Sequence, residues 1–206
     1  MEKLFIVTPV PHAWTAKMNF HPNEFFWDDV SIPKDVDIEY VLKIKYLRMK
    51  DVRVDYFHSS TPIASEDTKC LCDSLGVNCQ FVPVKISVNN LKSSKQFYFL
   101  LLRDYISIVD MTKSTYEIMR DKNTGKDLRW PNFPNIPMYE KISNLILKEG
   151  AVPHFFMARE IGARVCTERF KEAVEKLGLE GMNFKEISSD FCYDPFSFIS
   201  RPTPRV

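Results

Sequence analysis

Glycine is scarce in this chain, with six in 206 residues. That leaves little material for a loop that cradles phosphate on its backbone amides. None of the six falls into a G-x-G-x-x-G fingerprint, a Walker loop or a G-x-S-x-G elbow. An excess of charge is lacking too: 28 basic residues meet 27 acidic ones, for a net charge of +1. No whole-molecule field would draw this chain to nucleic acid or to an anionic membrane. The most hydrophobic run, Phe97 to Leu102, is far too short to span a bilayer. Met1 to Val7 opens like a strand, without the longer apolar run and small-residue cleavage site of a signal peptide. These absences predict a cytoplasmic protein with no nucleic-acid and no membrane partner.

Metal and nucleophile chemistry are thinly supplied. The four histidines, His12, His21, His58 and His154, form neither H-x-x-x-H nor H-E-x-x-H. Five cysteines cannot all pair with one another. Cys70 and Cys72, two apart on a helix, point to nearly opposite sides and make a poor chelating pair. Buried free thiols in a reducing compartment account for them. Two constellations can still be drawn. His12, His21 and Asp28-Asp29 would converge on a metal if their segment folded back. Cys166 and His154 would form a nucleophile pair across adjacent strands. Loop histidines are usually solvated, however, and no basic patch beside Cys166 lowers its pKa. The reading therefore assigns no catalytic residue, no metal and no cofactor.

The chain does write one phrase twice. Ser65-Glu66-Asp67-Thr68-Lys69 to Leu75-Gly76 returns as Thr167-Glu168-Arg169-Phe170-Lys171 to Leu177-Gly178. Each copy opens on a hydroxyl N-cap followed by Glu, has Lys at its fifth place and closes on Leu-Gly. Thr68, Leu71, Cys72 and Leu75 repeat at i, i+3, i+4 and i+7, as do Phe170, Ala173, Val174 and Leu177. That spacing is the buried stripe of a short amphipathic helix. Gly76 and Gly178 stand where a left-handed residue stops the helix. A strand-like run follows each stop. Either the match is a coincidence of two well-capped helices, or a helix–strand unit is duplicated.

Other runs read as strands: Leu4 to Val7, Val52 to Phe57, Gln80 to Val88, Phe97 to Leu102, Lys141 to Leu147, His154 to Met157 and Ala163 to Cys166. Tyr40 to Tyr46 fits a strand or a helical turn. Pro83 places Gln80 to Val88 near a sheet edge. Phe97 to Leu102 suits a strand buried on both faces, and Tyr105 to Asp110 continues or pairs with it. Thr115 to Arg120 and Leu128 to Trp130 make a hairpin across Asp121 to Gly125, with Gly125 at positive φ. Pro9 to Asp37 and Pro131 to Pro137 are proline loops. The expected fold class is α+β, a mainly antiparallel sheet with a few short helices packed on it. A single domain spans residues 1–206. Within it, 1–60 is a candidate N-terminal subdomain, 65–187 the core and 188–206 an aromatic C-terminal arm.

Three blocks carry a family resemblance. The first runs from Phe97-Tyr98-Phe99-Leu100-Leu101-Leu102 into Ile108-Val109-Asp110-Met111-Thr112-Lys113-Ser114-Thr115-Tyr116. The second runs from Lys141-Ile142-Ser143-Asn144-Leu145-Ile146-Leu147 through His154-Phe155-Phe156-Met157. The third runs from Val165-Cys166-Thr167-Glu168 to Leu179-Glu180-Gly181-Met182-Asn183-Phe184. Together they resemble a family of bacterial immunity proteins of polymorphic-toxin and contact-dependent or type VI secretion systems. That family was first catalogued as a domain of unknown function. The resemblance covers roughly residues 40 to 190 and is weaker before Ser65. It implies a small cytoplasmic protein that binds one cognate toxin, encoded nearby, and blocks it without catalysis. The family has no catalytic motif to carry over.

Aromatic anchors and charged rims are what such a contact needs. Two segments offer them: Trp14, Phe26 and Trp27 in the first proline loop, and Arg120, Lys122, Lys126, Arg129 and Trp130 around the hairpin tip. These eight residues are the expected partner-binding set. The competing readings are a loop packed on its own core and a solvated charged turn. Two other functions stay open: an enzyme whose site converges only in space, and an oligomeric module, including a homodimer, built through the aromatic arm.

Overall fold

A computed structural model of the protein describes residues 2–10, 16–18, 40–44, 51–57, 62–130, 133–188 and 190–195. Strand β1 is Leu4–Pro9, β2 is Ala16–Met18 and β3 is Tyr40–Ile44. Strands β4 (Tyr56–Phe57) and β5 (Ile63–Ser65) lead into helix α1 (Glu66–Ser74). Strands β6 (Cys79–Val88), β7 (Leu91–Lys92), β8 (Phe97–Leu102) and β9 (Tyr105–Ile106) follow. Then come β10 (Thr115–Ile118), β11 (Arg129–Trp130), β12 (Phe133–Pro137) and β13 (Tyr139–Asn144). Strands β14 (Phe155–Ala158) and β15 (Ala163–Thr167) lead into α2 (Glu168–Leu177), which β16 (Met182–Glu186) follows.

Both copies of the phrase form the helices it predicts. Ser65 accepts a hydrogen bond from the Thr68 amide, and Thr167 accepts one from the Phe170 amide, so each hydroxyl satisfies an orphan donor of the first turn. Gly76 and Gly178 take φ of +63° and +65°, a left-handed conformation that costs glycine little. Thr68, Leu71 and Cys72 are buried on α1, and Phe170 and Val174 on α2.

Among the described residues the strands form two larger sheets and two small ones. The larger sheets run β2-β3-β6-β8-β5-β4, with β7 beside β6, and β16-β1-β15-β14-β9. The small ones pair β10 with β13 and β11 with β12. Pairing is mostly antiparallel; β3 with β6 and β9 with β14 are parallel. The fold is α+β, with two short helices packed on sheets. The helix-bearing faces of both larger sheets close on one shared core, which holds Phe5, Val7, Leu100, Leu102, Cys72, Phe155, Phe170 and Val174. The Phe155 and Phe170 rings stack there at 4.7 Å between centroids. A second core lines the far face of each sheet: Leu4, Ile6, Phe156 and Val165 in one, Phe97, Phe99, Ile63 and Val84 in the other. Strand β8 is accordingly buried on both faces, with Tyr98 the only half-buried member.

Several expectations need correction. Pro83 does not mark an edge strand, because β6 runs between β3 and β8. The register shows why proline is tolerated there. Arg103 N donates to Asn78 O, and that alternation turns the Pro83 nitrogen away from β8. On its other side it faces β3, whose described pairing begins at Val84. Tyr105-Ile106 neither extends β8 nor pairs with it; it crosses to the other sheet and lies parallel to β14. Both proline loops contain a strand: β2, paired with β3, lies in the first and β12, paired with β11, in the second. Val52 to Phe57 shrinks to the two residues of β4, because side chains capture the preceding backbone.

Asp51 leads that capture. Its carboxylate accepts hydrogen bonds from the Val52 amide, the Ser93 hydroxyl, and the amide and hydroxyl of Ser94. Partial burial pushes the acid up, but these donors outweigh it and hold the pKa down at about 2. A depressed folded pKa means stability that is present above the unfolded value near 4 and is lost as pH falls toward 2. Up to about 2 kcal/mol is at stake after screening. Urea unfolding at pH 7 and pH 3 should show a larger acid loss for the native chain than for Asp51→Ala. Equal losses in both chains would sink this reading.

Candidate functional site

The hairpin tip exists, with a different set of strand partners from the simple hairpin expected. Asp121 N donates to Lys126 O at 2.9 Å and Leu128 N to Met119 O at 2.8 Å, so the chain does double back across Asp121 to Gly125. Gly125 takes φ +67°. Below the tip the two arms part: β10 pairs with β13, and β11 with β12. The arms part because Met138 is shared between them. Met119 N donates to Met138 O, and Met138 N donates to Leu128 O. A third segment thus enters between the arms of the hairpin.

The tip is shaped by its own acids. Asp121 accepts from the amides of Asn123 and Thr124 at 3.0 and 2.7 Å and from the Thr124 hydroxyl at 2.9 Å. These bonds, the Thr124 amide first, hold its carboxyl below the usual carboxylate range. Asp127 pairs with Arg120 Nε at 3.2 Å. Both acids are engaged in holding the turn. Lys122, Lys126 and Arg129 are exposed beside them. The turn is locally braced, and cationic side chains are exposed on and beside it.

Trp130 is placed differently. It is half-buried, and its ring edge occupies the place that a side chain on Gly162 would fill. Its Nε1 is buried and meets no acceptor among the described residues. The ring is seated on the turn between β14 and β15 and braces the base of the hairpin. Trp14, Phe26 and Trp27 lie outside the described residues. Two apolar side chains on the arms of the hairpin escaped the sequence reading. Leu128 is 37% exposed and Tyr116 is 39% exposed. Tyr116 sets its ring edge-on to buried Tyr139 at 5.3 Å. Alternation alone does not say which face of these short strands lacks cover, so no sequence signal singled them out.

The nucleophile pair drawn from the sequence does not assemble. His154 Nδ1 bonds the Thr167 hydroxyl at 2.9 Å, and burial pushes the Cys166 thiol up, away from thiolate. Cys72 is buried against Cys79, which together with burial pushes it up as well. The histidine–aspartate metal set drawn from the first proline loop lies outside the described residues. Among the described residues no three His, Cys, Asp or Glu side chains gather as metal ligands. Glu160, buried in the β14–β15 turn, accepts from the Ser107 hydroxyl and the Ile108 amide, and Lys148 donates to the same hydroxyl. With the serine proton turned to a carboxylate and its oxygen held by an ammonium, this cluster ties three segments together. No described helix is long and apolar enough to cross a membrane.

No curated protein matches the chain at a significant level. The profile of the Imm11 immunity protein family matches residues 34–189, a span that takes in both capped helices and the hairpin. The chain belongs to the Imm11 immunity protein family.

Proposed function

We propose that this protein binds a cognate bacterial toxin in the cytoplasm and neutralises it by occlusion, without a chemical step. The observation that carries the reading is family membership across residues 34–189. The hairpin supplies side chains of suitable chemistry: exposed Lys122, Lys126 and Arg129 for a cationic rim, with Leu128 and Tyr116 exposed on its arms as apolar anchors. Its partner is an acidic surface beside the toxin's active site. Protection of the producing cell calls for nanomolar affinity or better, on the order of −12 kcal/mol.

The test is calorimetry and association kinetics against the toxin encoded beside this chain. One-to-one tight binding is expected. Reversing both Lys122 and Lys126 to Glu should slow association at least tenfold and weaken its salt dependence, because rim charges steer encounter. Leu128→Ala should speed dissociation. Tight binding untouched by these changes would keep the function and refute the hairpin interface. No binding at micromolar concentration would remove the function itself.

A further inference from the structure

The two copies of the phrase sit in matching frames that extend well beyond the helices. Strands β5 and β6 run parallel with β8 antiparallel between them; β15 and β16 run parallel with β1 between them. The registers coincide. Ser65, Ala64 and Ile63 lie opposite Phe97, Tyr98 and Phe99, as Thr167, Cys166 and Val165 lie opposite Leu4, Phe5 and Ile6. Across the middle strands, Val82, Phe81 and Cys79 take the places of Lys185, Phe184 and Met182. The entering hairpins match as well: Tyr56 pairs with Ala64, and Phe155 pairs with Cys166.

Single hydrogen bonds repeat on this equivalence. Glu66 N donates to Gln96 O and Glu168 N to Lys3 O, each at 3.1 Å. Arg103 N donates to Asn78 O and Val10 N to Gly181 O, each at 2.9 Å. The lysine at the fifth place of the phrase also repeats its contacts. Lys69 lies over the Tyr98 ring at 5.7 Å and pairs with Asp73. Lys171 lies over the Phe5 ring at 5.5 Å and pairs with Glu175. Two capped helices alike by coincidence would not share strand partners, register and a cation–π contact.

The order along the chain differs from the order in space. Strand β1 precedes β4, β5, α1 and β6, yet it lies in the sheet of β14, β15 and β16. Strand β8 precedes β14, β15, α2 and β16, yet it lies in the sheet of β4, β5 and β6. We propose that the chain is a tandem duplication whose two units, β1 to β7 and β8 to β16, have exchanged their first strands, so that neither half is a folding unit. Each half would lose a central strand bonded on both sides if its partner left. A chain with one such unit would have to take its middle strand from a second copy.

The Asn89-Asn90 turn between β6 and β7 is exposed and lies near the junction of the units. A protease site inserted there is to be cut in the folded full-length chain. The nicked protein should elute as one species, keep its circular dichroism and melt in one transition, with the pieces parting only in denaturant. Pieces that separate in native buffer, or a piece that keeps its dichroism alone, would overturn the proposal. If the insertion prevents folding, hydrogen exchange on the unaltered chain decides. The amides of Phe5 and Val7 should match those of their equivalents Tyr98 and Leu100 in protection to within about tenfold, and a larger gap would overturn it.

Discussion

Gly181→Ala is expected to cost on the order of 3–5 kcal/mol or to prevent folding. A Cβ at Gly181 would stand 2.0 Å from the carbonyl oxygen of Tyr56 and 3.0 Å from its carbonyl carbon. The obstacle is backbone, so no rotamer change relieves it. Tyr56 is fully buried, and its amide donates to Glu180 O at 3.1 Å, so the strand cannot step aside without breaking that bond. The φ of +106° adds strain for any L side chain. Gly178→Ala is the control. It shares a positive φ but meets nothing within 4 Å, and about 1 kcal/mol is expected for the left-handed conformation alone. Chemical denaturation of both variants gives the comparison. Near-equal stabilities would show that the close approach at Tyr56 is not rigid.

Asp55→Ala should cost about 3 kcal/mol, a fall of several degrees in Tm for a chain of this size. Asp55 is 4% exposed and joins four segments. Its carboxylate accepts from Lys95 Nζ at 2.7 Å and from the Glu180 amide at 3.0 Å. Its own amide donates to Glu180 O at 2.7 Å, and its carbonyl accepts from the Ser65 amide and the Thr68 hydroxyl. Removing the carboxylate leaves the Glu180 amide without its acceptor and strips a partner from a half-buried ammonium. Asp55→Asn keeps an acceptor and loses the charge, so an intermediate cost of about 1–2 kcal/mol is expected. A Tm for Asp55→Ala within a degree of the native chain would mean that water replaces the clasp at no cost.

These two sites lie where the turn after α2 meets β4, a contact between segments more than a hundred residues apart in the chain. Nothing local in Asp55 or Gly181 announces it. The helices, by contrast, were legible in detail. Ser65, Thr167, Gly76 and Gly178 act on backbone groups within four residues of themselves, so cap and stop read straight from the chain; of the expected stripe only Leu177, 59% exposed in the last turn of α2, faces away from the core. The lysine at the fifth place of the phrase was visible as a repeat but not as a contact, since its ring lies on a strand that arrives from elsewhere. At the candidate site the turn of Asp121 to Gly125 was legible for the same local reason. The arms of that hairpin were not, because Met138 enters between them from a third segment.

The sequence by itself determined where the two helices start and stop, most of the longer strands and the family the chain resembles. Each rests on interactions of short range or on a periodicity that survives in one dimension. Only the tertiary structure decided the pairing. It placed Pro83 in an interior strand, sent Tyr105-Ile106 to the other sheet, and set β1 and β8 each into the half of the chain to which the other belongs. Strand partners are chosen by hydrogen bonds that any backbone can make, and the choice is settled by which buried faces close on one another in three dimensions.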